Sequence, residues 1–102
     1  MNISVQELKQ IIDTNPNIHV IDVREPYEIQ STGKVAQAVN IPLGQLPQKI
    51  PDWNKTEPVY VICQSGGRSL SGQQILIQAG FKAFNVAGGT GAWIRSGFPT
   101  KR

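Results

Sequence analysis

Cysteine is almost absent from this 102-residue chain, with Cys63 the only one. A single thiol forms neither an internal disulfide nor, by itself, a zinc site, so it is there for packing or for reactivity. Histidine is equally scarce. His19 stands alone inside an apolar stretch, remote in sequence from Cys63, so it is read as part of a strand and not as half of a Cys–His pair. Long apolar runs are missing too. Nothing approaches the roughly eighteen consecutive apolar residues of a membrane span, and no basic segment followed by an apolar run marks a signal peptide. Charged residues make up only 17% of the chain, and its ten Lys and Arg are spread from Lys9 to Arg102. Nucleic-acid binding needs a clustered basic stripe, so it is not expected; a net charge of +3 suits a mild attraction for anionic small molecules. These absences point to a reducing, cytoplasmic setting in which a thiol persists.

What is present reads as one domain over residues 1–102, without repeats or linkers. Ser4-Val5-Gln6-Glu7 is a capping box, and Val5, Leu8, Ile11 and Ile12 follow at helical spacing up to Asn15-Pro16. Ile18 to Val23 reads as a β-branched strand, Glu25 and Glu28 around Pro26 as the start of a short helix, and Val39 to Pro42 as a second short strand. Gln45 to Ile50 suits a short helix with Pro47 in its first turn. Val59 to Ile62 has no polar alternation, the mark of a strand buried on both faces. A helix is expected over Ser69–Ala79 with Gly80 as its left-handed cap, then a strand over Phe81–Val86 and a short helix over Gly89–Ser96 carrying Trp93 as a packing residue. Strands alternating with helices predict a small wound α/β domain with helices on both faces of its sheet.

The candidate chemistry lies where the buried strand ends, at Cys63-Gln64-Ser65-Gly66-Gly67-Arg68-Ser69. Ligands of open α/β sheets bind beyond the carboxyl ends of the strands. Gly66 and Gly67 permit positive φ, so successive N–H groups can turn inward as an anion-binding nest. The following helix start adds a positive dipole end, and Arg68 adds a full charge. Such surroundings bring a thiol from about 8.5 into the range of roughly 3.5–7.5, so Cys63 is expected to be largely thiolate. The expectation carries its own check: the thiol must not be packed away, and the amides must aim at it.

This loop resembles the active-site loop of rhodanese-type sulfurtransferases. The resemblance spans nearly the whole chain. It continues in Asp22-Val23-Arg24-Glu25-Pro26-Tyr27-Glu28, in Ala38-Val39-Asn40-Ile41-Pro42-Leu43, and in Ala79-Gly80-Phe81, Gly88-Gly89 and Ala92-Trp93. It implies a rhodanese-like fold with a mainly parallel five-stranded sheet, in a monomer without metal or organic cofactor. It also implies a Cys63 persulfide that takes sulfur from a small anionic donor such as thiosulfate. A thiol, a carrier protein or, in assays, cyanide would accept the sulfur. The amides of residues 64–68 would hold the persulfide, with Gln64, Ser65, Gly66, Gly67, Arg68 and Ser69 as the binding loop. Arg68 would draw in the donor. Asp22 and Arg24, following the neighbouring strand, are expected to support the loop, Asp22 by accepting from loop amides or by pairing with an arginine.

Loop length separates two chemistries. Only Gln64, Ser65, Gly66 and Gly67 stand between the cysteine and the arginine, one residue fewer than in the related nest of cysteine phosphatases. The tighter ring suits one sulfur atom better than a phosphate. A phosphatase or arsenate reductase is thus the remotest alternative, after a persulfide carrier and a non-catalytic interaction module on the same scaffold. The family's Gly-His-Ile and Gly-Ala are replaced here by Gly33-Lys34-Val35 and Gln37-Ala38, and the loop itself is uncharged until Arg68. That last departure favours a protein persulfide over thiosulfate as donor.

Overall fold

The computed structural model describes residues 1–102. Five strands, β1 (Asn2–Ile3), β2 (His19–Asp22), β3 (Ala38–Asn40), β4 (Val59–Ile62) and β5 (Ala83–Val86), form one sheet in the order β1-β5-β4-β2-β3. All four strand pairs are parallel. The five-stranded wound sheet expected above is therefore present.

Side-chain alternation sets two cores. Val20, Tyr60, Ile62 and Val86 face α1 (Val5–Thr14) and the Trp93 side of α4 (Gly89–Arg95). Ile21, Val59, Val61, Ala83 and Cys63 face α3 (Gly67–Gln78) and a 3-10 turn at Leu43–Gln48. The central strand β4 is buried at all four residues, as its unbroken apolar run required. A short helix α2 (Pro26–Thr32) follows β2, with Pro26 in its first turn and Glu25 and Glu28 closing a capping box. The Ser4 capping box of α1 is also formed, Ser4 Oγ accepting from Glu7 N–H at 3.0 Å and Glu7 Oε1 from Ser4 N–H at 2.9 Å. Trp93 is buried, its indole N–H donating to Pro99 C=O at 2.8 Å.

Several expectations need correction. Strand β1 was not foreseen, because two residues carry no alternation to read; it exists through its pairing with Asn85 and Val86. α3 begins at Gly67, two residues before Ser69, since Gly66 already adopts the turn conformation that starts it. Pro47 lies late in the 3-10 turn, not in its first turn, because the turn starts at Leu43 straight after Pro42. His19 opens β2 and is more than strand filling. It stacks on Trp53 and its Nε2 lies 3.0 Å from Glu57 Oε1.

Candidate active site at the carboxyl edge of the sheet

The sheet order explains where the site lies. From β2 the chain moves outward to β3, and from β4 it moves the other way to β5, so the winding reverses between the adjacent strands β2 and β4. A crevice opens beyond the carboxyl ends at such a reversal. Asp22 and Ile62 are register partners there, so the Asp22–Arg24 segment and the Cys63 loop emerge side by side.

Cys63 is 1% exposed and its side chain packs with the α3-side core. In this conformation the thiol is packed away from solvent, so the first of the two conditions set by the sequence is not met. The amides nonetheless aim at it. Sγ accepts from Gly66 N–H at 3.1 Å and from Ser69 N–H at 3.4 Å, and Ser69 Oγ lies 3.3 Å away. Burial alone pushes the Cys63 thiol up. The Ser69 hydroxyl and the amides of Ser69, Gly66 and Ser65 outweigh it and hold the thiol below its ordinary value. The amides within hydrogen-bond distance of Sγ itself are those of Gly66 and Ser69.

Two backbone features set these directions. Gly66 has φ of +109°, the left-handed conformation that swings its amide onto sulfur and starts α3. On the other side, the first amides of α4 grip the loop: Thr90 N–H donates to Cys63 C=O at 2.8 Å and Gly91 N–H to Gln64 C=O at 3.0 Å. A trans peptide points its C=O and the next N–H in opposite directions across one plane. Gripping Gln64 C=O from α4 therefore turns Ser65 N–H the other way, away from α4. The approach is so close that a β-carbon on Gly89 would lie 2.4 Å from Cys63 O.

The charged residues are arranged differently from expectation. Arg68 does not stand free beside the thiol. Its Nη1 and Nη2 donate to Glu28 Oε2 and Oε1 at 2.7 and 2.8 Å, a two-point grip that satisfies the guanidinium. The Arg68 guanidinium holds the Glu28 carboxyl down at about 2. Glu28 was read only as a helix starter, and its partner lies forty positions away, beyond the reach of local patterning.

Asp22 pairs with Arg24, as one of the two expectations for it had it, and not with loop amides; both side chains are fully buried. Arg24 Nε and Nη2 reach the Asp22 carboxylate at 3.0–3.2 Å, and Nη2 also donates to Gly33 C=O at 2.9 Å. Arg24 Nη1 donates to Thr32 Oγ1 at 2.9 Å and touches Gln64 Oε1 of the cysteine loop at 3.4 Å. Ser69 Oγ donates in turn to Asn85 Oδ1, and Asn85 Nδ2 to Asn2 Oδ1 at 3.2 Å. Asn85 is a further residue of the site that sequence reasoning missed. Thr90 Oγ1 is buried with no hydrogen-bond partner.

Beside the loop lies a cavity of about 230 Å³ lined by Tyr27, Glu28, Ser31, Thr32 and Gln64. A larger one, about 450 Å³, opens among α1, His19, Glu57 and Pro58 at the opposite edge of the sheet. Size alone would favour the larger cavity. Gln64, next to Cys63 in the loop, lines the smaller one, and no residue of the cysteine loop lines the larger.

A wound parallel sheet carrying a cysteine under converging amides at its switch point defines the class, an α/β protein with a cysteine-centred site. The comparisons narrow the class. The family model described as Rhodanese-like domain matches residues 4–96, and the chain belongs to that family. YtwF of Bacillus subtilis strain 168, provisionally named a sulfurtransferase, is 40% identical over 91 residues, covering 89% of this chain and 87% of that protein. A protein of Allochromatium vinosum named sulfurtransferase is 31% identical over 98 residues, 95% of this chain and 91% of that one. The crystal structure of a rhodanese-like domain protein from Staphylococcus aureus superposes with a TM-score of 0.86 at 32% identity, covering all of both chains. At the level of the family, this is a sulfurtransferase-type transferase.

Proposed function

We propose that the protein moves sulfane sulfur from a donor such as thiosulfate to a thiophilic acceptor through a Cys63 persulfide. The observation that carries this reading is the pair of amides donating to Cys63 Sγ, those of Gly66 and Ser69, with Ser69 Oγ 3.3 Å away. In the first step the Cys63 thiolate attacks the outer sulfur of thiosulfate. The bond from that sulfur to the sulfite sulfur breaks with its electron pair, sulfite leaves, and Cys63–S–S⁻ remains. Fixed N–H groups stabilise the anion without reorganising, as in an oxyanion hole. In the second step the acceptor (cyanide, a thiol or a carrier protein) attacks the outer sulfur and returns the thiolate. Because Sγ is enclosed, the exposed Gln64–Ser65 segment and Gly67 must shift to admit a donor.

Intact mass after incubation with thiosulfate tests the proposal. The expected result is a gain of one sulfur, removed by cyanide as thiocyanate and absent in Cys63→Ser. A persulfide that forms once and does not turn over with small acceptors would instead fit a carrier. No gain with any sulfane donor would leave an interaction module, and turnover of an aryl phosphate would replace the reading with a phosphatase.

A further inference from the structure

We infer that Glu28 is a specificity-determining residue, which cancels the charge of Arg68 and so favours singly charged sulfane-sulfur donors over dianionic thiosulfate. The inference rests on the sulfur-transfer reading above and concerns which donor that site takes.

Around the cysteine loop three guanidinium groups can be counted, and two carry their own carboxylate. Arg24 is held by Asp22 with neither side chain exposed, and Arg68 is held at two points by Glu28. The third, Arg95, is exposed at the end of α4; the place a Gly91 β-carbon would take is 3.2 Å from both Arg95 Nη1 and Gln64 Nε2. Arg95 therefore stands on the α4 side of Gln64, whereas Glu28 shares the cavity beside the loop with Tyr27, Ser31, Thr32 and Gln64. On that side Glu28 and Arg68 cancel each other, and the Arg102 guanidinium, donating to the carbonyls of Gln30 and Ser31 at 2.8 and 3.1 Å, stands at the far end of α2. Held at about 2, Glu28 is ionised throughout the pH range of any assay. A donor on this path gains no net attraction from Arg68 and then meets the thiolate. Repulsion from the thiolate doubles when the donor's charge doubles.

Two donors separate charge from chemistry. Thiosulfate and methanethiosulfonate each present a terminal sulfane sulfur on a sulfonyl group, the first as a dianion and the second as a monoanion. Attack by the thiolate gives Cys63–S–S⁻ and sulfite in one case, and Cys63–S–S⁻ and methanesulfinate in the other. Charge and atoms balance in both. Glu28→Gln keeps the shape, the capping hydrogen bond to Glu25 N–H and one acceptor for Arg68, and removes the negative charge.

The experiment measures kcat/KM for both donors, with cyanide as acceptor, in the wild type and in Glu28→Gln at low ionic strength. The expected result is a rise of about tenfold for thiosulfate and about threefold for methanethiosulfonate, because a gain in attraction scales with donor charge. The thiosulfate gain of the variant over the wild type should shrink as salt is added. Arg95→Gln in both backgrounds should leave the wild-type-to-variant ratio unchanged. Equal losses for the two donors, or a ratio that salt does not move, would overturn the inference and leave Glu28 a structural partner of Arg68. Should Glu28→Gln fail to fold, Arg68→Gln reads the same term with opposite sign, lowering thiosulfate more than methanethiosulfonate; equal changes there overturn it too. If neither donor adds sulfur to wild-type Cys63 by intact mass, the sulfur-transfer reading itself fails, an outcome separate from an unmoved ratio.

Discussion

At the scale of the residue, the thiol's chemistry is decided by Ser69 more than by the arginine beside it in sequence. Ser69 supplies both a hydroxyl and an amide to Cys63 Sγ, and both oppose the upward push of burial. Its hydroxyl has one proton, however, and Asn85 Oδ1 also draws on it. Ser69→Ala removes that hydroxyl and keeps the amide. A hydrogen bond to a charged group is worth about 1.5 kcal/mol or more, which corresponds to about a tenfold fall in thiolate below the titration midpoint. Thiolate absorbance near 240 nm should titrate at higher pH in the variant, and the rate of persulfide formation at low pH should fall alongside it. The linkage sign follows from the same shift. A thiol held down in the fold binds fewer protons there than in the unfolded chain, so stability rises with pH between the two pKa values and is lost as pH falls through the lower one. Ser69→Ala should narrow that interval in pH-dependent urea unfolding. An unchanged titration would mean that the amides alone set the thiol.

The elements show why some of this was legible in the sequence. The reactive loop could be found because its signals are local: an apolar run without alternation, a cysteine, two glycines, then a helix. The Ser4 capping box and the start of α2 at Pro26 were local in the same sense. Contacts made by topology were not. Glu28 meets Arg68, Ser69 meets Asn85, and β1 forms on β5, only after the winding order has brought distant segments to one edge. The start of α3 was misplaced for a related reason. Ser69 does lie in the first turn with its hydroxyl beside sulfur, but it is Gly66 that sets the turn. α4 is the element whose part was least visible. Thr90 and Gly91 in its first turn hold the backbone of Cys63 and Gln64 by their amides. Gly89→Ala tests this. Gly89 has φ of +59°, where a non-glycine residue costs about 1–3 kcal/mol in strain, and the new methyl would also press on Cys63 O. The expected outcome is a lower urea midpoint together with a raised thiol titration. A change in stability without any change in the thiol would detach α4 from the aiming of the loop.

Over the whole molecule, one buried ion pair ties the site to both strands of the switch point. Arg24 bonds Asp22 at the end of β2, Thr32 and Gly33 at the end of α2, and Gln64 beyond β4. Asn40 Nδ2, from β3, donates to the carbonyls of Asp22 and Arg24 at 2.9 and 2.8 Å and fixes the same turn. Removing one partner of such a pair strands a charge with no water around it, at about 3–5 kcal/mol. Against a total stability of about 5–15 kcal/mol for a domain, Arg24→Ala should lower the unfolding midpoint sharply and leave part of the protein unfolded at 37 °C. That result alone would not distinguish scaffold from site. Replacing the pair together, with Asp22→Leu and Arg24→Met, removes the stranded charge and should recover most of the stability, because an apolar pair of similar volume avoids the desolvation penalty. The Gln64 side chain would still lack its Nη1 donor. Persulfide formation by the double variant should therefore stay below wild type at equal folded fraction, measured by mass under conditions where circular dichroism shows both fully folded. Full recovery of rate with stability would assign Asp22 and Arg24 to the fold alone and separate the loop's geometry from the strand beside it.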